Sequence, residues 1–182
     1  MFTKGEEDNF IAILVYVDDI ILASPSQEII SRTKTILKEH FKLKDLGDLK
    51  FFLGQELSRS KEGIFMCQRH YMLSILEDCG MLACKPSSIP MEANNKLTAN
   101  SGTKLVDPGS YRRLVGRLLY LTISRSDICY CVHKLSQFVF NPYTNHMHAT
   151  NMLLRYLKHT FIQGILFRAN LDTKLLAYVD AD

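Results

Sequence analysis

No apolar run in this sequence approaches the roughly 18 consecutive residues that span a bilayer, so no transmembrane helix is expected. The first ten residues, MFTKGEEDNF, lack the basic patch and apolar core of a secretory leader and carry acids instead. Together these point to an intracellular protein. Cysteine is sparse and unpaired in pattern. Cys67, Cys79, Cys84, Cys129 and Cys131 make an odd number with no doubled C-x-x-C spacing, which argues for reduced, packed thiols and against zinc. Internal repeats and low-complexity tracts are missing as well. Acids are nearly absent from one stretch. Between Pro108 and Asn170 there is a single acid, Asp127, against eight Lys or Arg and four of the six histidines. Such segregation fits a region that faces a polyanion, and it fits solvated helix faces equally well. The composition, 47% hydrophobic and 23% charged, is that of a folded chain rather than a disordered one. Its 182 residues suffice for one domain or one and a half.

What is present is strongly patterned. LVYVDDIILAS, from Leu14 to Ser24, sets Asp18 and Asp19 side by side inside a dense apolar run. Burying an unpaired carboxylate is costly, and two adjacent ones repel. Either the pair sits in an exposed hairpin turn, or a cation sits beside it. Phe10 to Tyr16 and Ile20 to Leu22 read as two strands joined by that turn, apolar on both faces and so expected to be covered on both. A helix is expected next, with Ser24 as N-cap, Pro25 at its first position, Gln27 closing a capping box, and Ile29, Ile30, Thr33, Ile36 and Leu37 on one face. FFLGQEL (Phe51 to Leu57) and GIFMCQ (Gly63 to Gln68) read as two strands, followed by a helix from about Arg69 to Asp78 that ends near Gly80. Residues 85–110 are polar and rich in breakers, and are expected to link two packed units. Three amphipathic helices follow, Tyr111 to Ser124, Asp127 to Phe140 and about Asn145 to Thr160. Two strands, Gln163 to Arg168 and Lys174 to Val179, close the chain. The fold class expected is α+β.

Adjacent aspartates at a hairpin tip can hold hard cations such as Mg²⁺, which take carboxylate oxygens together with substrate phosphates. The wider context resembles a known family. YVDD, FFLGQEL, GIFMCQRHYMLSILEDCGMLACKPSSIPM, YRRLVGRLLYLTISRSDICYCVHKLSQF and LLRYLKHT are similar, in order and spacing, to the reverse transcriptase region of Ty1/copia-type retrotransposon Pol polyproteins. The resemblance implies an RNA-directed DNA polymerase, a nucleotidyltransferase. It implies catalytic, metal-binding roles for Asp18 and Asp19, and places Tyr16 and Val17 beside primer and nucleotide. It implies a partial right-hand palm with a primer-gripping hairpin over residues 1–84, a linker over 85–110 and a helical thumb or connection region over 111–160. The start of a truncated RNase H-like domain over 161–182 would then carry a catalytic Asp180. Mg²⁺ is the implied cofactor. The implied partners are an RNA or DNA primer–template duplex and the remainder of the polyprotein.

By the same resemblance, the third palm carboxylate and the fingers would precede Met1, and most RNase H carboxylates would follow Asp182. The expectation is therefore a fragment inactive on its own. The alternatives are a non-catalytic nucleic-acid-binding remnant or an inert fossil reading frame. Ser126, Met147 and His159 depart from the family's usual proline, tryptophan and glycine. Arg112, Arg113, Arg117, Lys134, Arg155 and Lys158 are the candidates for phosphate contacts, which position a nucleic acid without reading its sequence. Tyr111, Tyr120 and Tyr156 lie at core spacing and are expected to pack rather than stack on bases. In HMH, His146 and His148 point about 200° apart on a helix and read as surface or capping residues, not a metal pair. Met66, Met72 and Met81 read as core gap-fillers.

Overall fold

The computed structural model describes residues 1–92, 97–170 and 177. The chain divides into two compact units, Met1–Leu49 and Lys50–Asp182. In the first, β1 (Phe2–Lys4), β2 (Ile11–Tyr16) and β3 (Asp19–Ala23) form an antiparallel sheet in that order. The register pairs Ile13 with Leu22 and Val15 with Ile20, and closes at Tyr16 opposite Asp19. The turn is therefore the two residues Val17 and Asp18. Helix α1 (Gln27–His40) follows, with Ile29, Ile30, Thr33 and Leu37 half-buried and Ile36 exposed. Its cap is Ser26, whose side chain accepts from the Ile29 amide at 3.5 Å, and not Ser24. Pro25 biases Ser24 toward extended backbone, and the Ser24 hydroxyl is already committed to the Phe10 carbonyl at 2.7 Å. Lys34 and Lys38 hold Asp45 at 3.0 and 3.9 Å, which ties the end of the unit back to α1. Coverage of both sheet faces is not met within this unit. Only Ile11 is buried, while Ala12 to Leu14 and Ile20 to Leu22 are half-buried.

In the second unit, FFLGQEL is not one strand but a hairpin, β4 (Phe51–Phe52) and β5 (Gln55–Arg59). Leu53 and Gly54 reverse the chain with φ of +49° and +74°, the positive-φ pair that two-residue hairpin turns demand. The Tyr120 hydroxyl donates to the Leu53 carbonyl and holds this turn near helix α3 (Pro108–Leu121). Strand β6 (Gly63–Cys67) pairs with β5 and leads into α2 (Arg69–Asp78). Strand β7 (Ile165–Arg168) falls within the stretch expected as Gln163 to Arg168, and it lies antiparallel to β6, with Ile64 opposite Phe167 and Met66 opposite Ile165. The strand expected over Lys174 to Val179 lies, except for Ala177, outside the described residues.

Helices α3, α4 (Cys129–Ser136) and α5 (Thr144–His159) enclose a continuous apolar core with α2. Leu114, Val115, Leu118 and Leu121 of α3 recur at helical spacing and meet Val132, Leu135, Leu153, Leu154 and Leu157, all buried. Met72 is buried in this core and Met81 packs against it, while Met66 is half-buried. Tyr111 is buried as well, and its hydroxyl donates to the Leu135 carbonyl at 2.8 Å. Helix α4 ends four residues short of expectation, and Arg112 holds the Val139 and Phe140 carbonyls beyond it, at 2.8 and 3.2 Å.

The described part of residues 85–110 is strapped along these helices. The Ser87 amide bonds the Arg155 carbonyl at 3.1 Å and the Leu105 amide the Pro142 carbonyl at 3.0 Å, and Leu97 is buried. His146 is fully buried and stacks on Phe138 with ring centroids 4.0 Å apart. Its Nδ1 accepts from the Tyr143 amide at 3.0 Å, so Nε2 donates to the Thr98 carbonyl at 2.9 Å. The histidine is thus a cap, as one sequence reading held, but a buried one. Among the described residues the cysteines are all free thiols, and no helix is long and apolar enough to cross a membrane.

Candidate catalytic hairpin and basic helices

The β2–β3 tip gathers four of the sequence candidates into one turn. Tyr16 and Asp19 form its closing pair, and Val17 and Asp18 are the two turn residues. All four side chains are exposed, Val17 to 80%. The carboxylates therefore carry no burial cost, and the apolar strands behind them supply the support. Val17 adopts a φ of +51°. That region suits Gly or Asn, and a β-branched residue there is strained, at a cost of order 1–3 kcal/mol. The oxygen donors are of the type a hard divalent cation takes. Among the described residues, however, no cluster of three or more His, Cys, Asp or Glu side chains forms a complete metal site. Asp180, the remaining catalytic candidate, lies outside the described residues.

The basic candidates have intrachain work. Arg112 holds the two carbonyls beyond α4. Arg113 lies 3.8 Å from Asp107, the N-cap of α3. Arg117 donates to Asp78 at 2.6 Å and to the Ser74 hydroxyl at 2.9 Å, with its guanidinium carbon 5.7 Å from the Tyr71 ring centroid. Arg155 donates to the Lys85 carbonyl at 2.7 Å, and Lys158 to the Cys84 carbonyl at 2.6 Å. Lys134 alone of the six makes no hydrogen bond or ion pair with the described residues. The tyrosines follow the packing expectation at Tyr111, which is buried, and at Tyr156, which is half-buried against the same core, while Tyr120 is half-buried and bonds the Leu53 carbonyl.

Sequence reasoning missed Arg125, read only as part of a helix break. It is buried and forks onto Asp127, with Nε to Oδ1 at 2.9 Å and Nη2 to Oδ2 at 2.7 Å. Burial alone would raise the Asp127 carboxyl. The Arg125 fork and charge, with the Tyr156 hydroxyl, outweigh it and hold the group below the ordinary carboxylate value. The signal was available: the sole acid of a basic stretch stands two residues from an arginine.

Comparison with known proteins decides the family. The reverse transcriptase (RNA-dependent DNA polymerase) family matches residues 1–93, a span that holds both the aspartate hairpin and β4 to α2. The chain belongs to this family. It is 41% identical over its whole length to the retrovirus-related Pol polyprotein from transposon RE2 of Arabidopsis thaliana, and spans 12% of that protein. The corresponding figures for the Pol polyprotein from transposon TNT 1-94 of Nicotiana tabacum are 32% and 14%. An uncharacterized mitochondrial protein of Arabidopsis thaliana is 36% identical over 93% of the chain, which covers 70% of it. No solved structure matches. The chain thus carries reverse transcriptase sequence over residues 1–93 and is similar over its whole length to copia-type Pol polyproteins, of which it spans only about an eighth.

Proposed function

We propose that the β2–β3 tip is the metal-binding hairpin of nucleotidyl transfer, with Asp18 and Asp19 as carboxylate ligands. The carrying observation is the hairpin tip that holds both aspartates exposed, Asp18 in the turn and Asp19 in the closing pair, with Val17 at φ +51°, inside the matched span. When bound, Mg²⁺ would activate a primer hydroxyl and stabilise departing pyrophosphate. The chain's own part is to hold two carboxylates at a rigid tip, with Tyr16 opposite Asp19 and Val17 beside primer and nucleotide. On the same reading β5–β6 grips the primer and residues 111–160 are thumb or connection. Residues 161–182 begin an RNase H-like region in which Asp180 is a ligand.

Two carboxylates bind Mg²⁺ weakly, since the ion dehydrates reluctantly. On this reading the 182-residue chain by itself does not extend a primer. In a complete Pol protein carrying this segment, Asp18→Asn abolishes primer extension while template binding is retained. Full extension by that variant would overturn the assignment. Template-dependent synthesis by the 182-residue chain, lost on Asp18→Asn, would overturn the inactivity. A second reading, duplex binding without catalysis, is favoured by the eight bases and one acid between Pro108 and Asn170.

A further inference from the structure

Arg125 is 3% exposed, and it does more than pair with Asp127. Its guanidinium reaches the turn that leaves α5. Nη1 donates to the Thr160 carbonyl at 3.1 Å, and Nη2 to Thr160 Oγ1 at 2.7 Å and to Gln163 Oε1 at 3.3 Å. The turn closes on itself through the Gln163 amide and the Thr160 carbonyl, at 3.0 Å. It is also pinned from α2, where the Arg69 guanidinium carbon lies 5.5 Å from the Phe161 ring centroid. Arg69 is the first residue of α2, directly after β6 and Gln68. Gln68 is buried and accepts from the Ser124 hydroxyl at 2.7 Å.

The corner where β6 enters α2 and the corner where α5 leaves for β7 are therefore stitched together by Ser124 and Arg125. Beyond the turn, backbone contact becomes close. A Cβ at Gly63 would strike the Phe167 carbonyl, and one at Gly164 the Met66 carbonyl. Small residues at both ends of the pairing let β7 lie directly on β6.

We propose that Arg125 is a positioning residue for the β5–β6 hairpin, setting β7 in register on β6 by fixing the Thr160–Gln163 turn. Its effect on polymerisation rests on the reading of β5–β6 as the primer-gripping hairpin. The setting of register stands on the contacts alone.

Amide hydrogen exchange on the 182-residue chain tests it. Arg125→Met should speed exchange in Gly63–Cys67 and Ile165–Arg168 by about tenfold or more, while amides of α3 and α5 change less than about threefold. Arg125→Lys, which keeps a point charge but not the fork, should fall between. Where Arg125→Met does not fold, Thr160→Val with Gln163→Leu removes acceptors on the turn, leaves the Asp127 pair intact, and should give the same localised pattern. Uniform acceleration throughout the second unit, or none in β6 and β7, would overturn the proposal. In a complete Pol protein, Arg125→Lys should raise KM for primer–template more than it lowers kcat. An unchanged KM with the exchange pattern present would overturn the primer-grip reading and leave the positioning role standing.

Discussion

The two units are built on opposite terms. In Met1–Leu49 a sheet and a helix carry the candidate chemistry, yet Ile11 is its one buried residue. In Lys50–Asp182 four helices share a core of fully buried leucines, isoleucines and valines. Hydrophobic burial is the main favourable term in folding, so stability is concentrated in the second unit. The aspartate hairpin is held by ladder hydrogen bonds and half-buried side chains. The candidate chemistry and the burial lie in different parts of the chain.

The sharpest way to break that comparison is to delete apolar volume on each side. Leu118→Ala or Leu153→Ala, each at a fully buried position, should cost about 2–5 kcal/mol. Ile20→Ala, at a half-buried hairpin position, should cost about 1 kcal/mol or less, because much of its surface is already in water. Denaturant titration of the purified variants measures both. Equal losses would mean that the hairpin has a core of its own.

The outline of the helical unit was legible in the sequence because its apolar period is strong. Tyr111, Leu114, Val115, Leu118 and Leu121 recur on one face and end in the core. The aspartate turn was legible too, since the strands expected on either side leave only Val17, Asp18 and Asp19 between them; the register then pairs Asp19 with Tyr16. What failed were features decided by contacts distant in sequence. FFLGQEL was misread because the Leu53–Gly54 reversal is held from Tyr120. Ser24 lost the cap to Ser26 because its hydroxyl serves Phe10. The pairing of β7 with β6 joins segments about a hundred residues apart, which no local pattern reports. The basic residues were picked by charge, and five of them turned out to hold carbonyls or carboxylates of this same chain.

A pH series sharpens the picture of the second unit. The folded-state value of Asp127 lies below its ordinary value, so its contribution is complete above that ordinary value, near pH 4. It is lost as pH falls through the lower folded value. Asp127→Asn should flatten the acid limb of a stability–pH curve. At the other end, burial pushes Tyr111 up to about 12. Its contribution is complete below the ordinary phenol value near pH 10, and is lost as pH rises toward 12. Tyr111→Phe should remove that alkaline loss, at the cost of the bond to Leu135.

In the first unit, Val17→Gly should relieve the positive-φ strain, and the gain should stay below about 1 kcal/mol because glycine also loses more chain freedom on folding. Exchange rates of the β2–β3 amides report it. The smallest effect concerns duplex binding. With most candidate cations engaged inside the chain, one or two phosphate contacts should give a salt slope of only about −1 to −2. Lys134→Ala should reduce that slope by roughly one without changing stability. Arg155→Ala should lower stability instead, by freeing the Lys85 carbonyl. Anisotropy with duplexes of unrelated sequence, at several salt concentrations, separates the two.

The most direct test of the contrast between the units is native-state hydrogen exchange resolved along the whole chain. Amides of α3 and α5 should exchange only on global unfolding. Those of Ile11–Tyr16 and Asp19–Ala23 should exchange through local opening, at least about a hundredfold faster after correction for intrinsic rates. Equal protection in the hairpin and the helices would contradict the account.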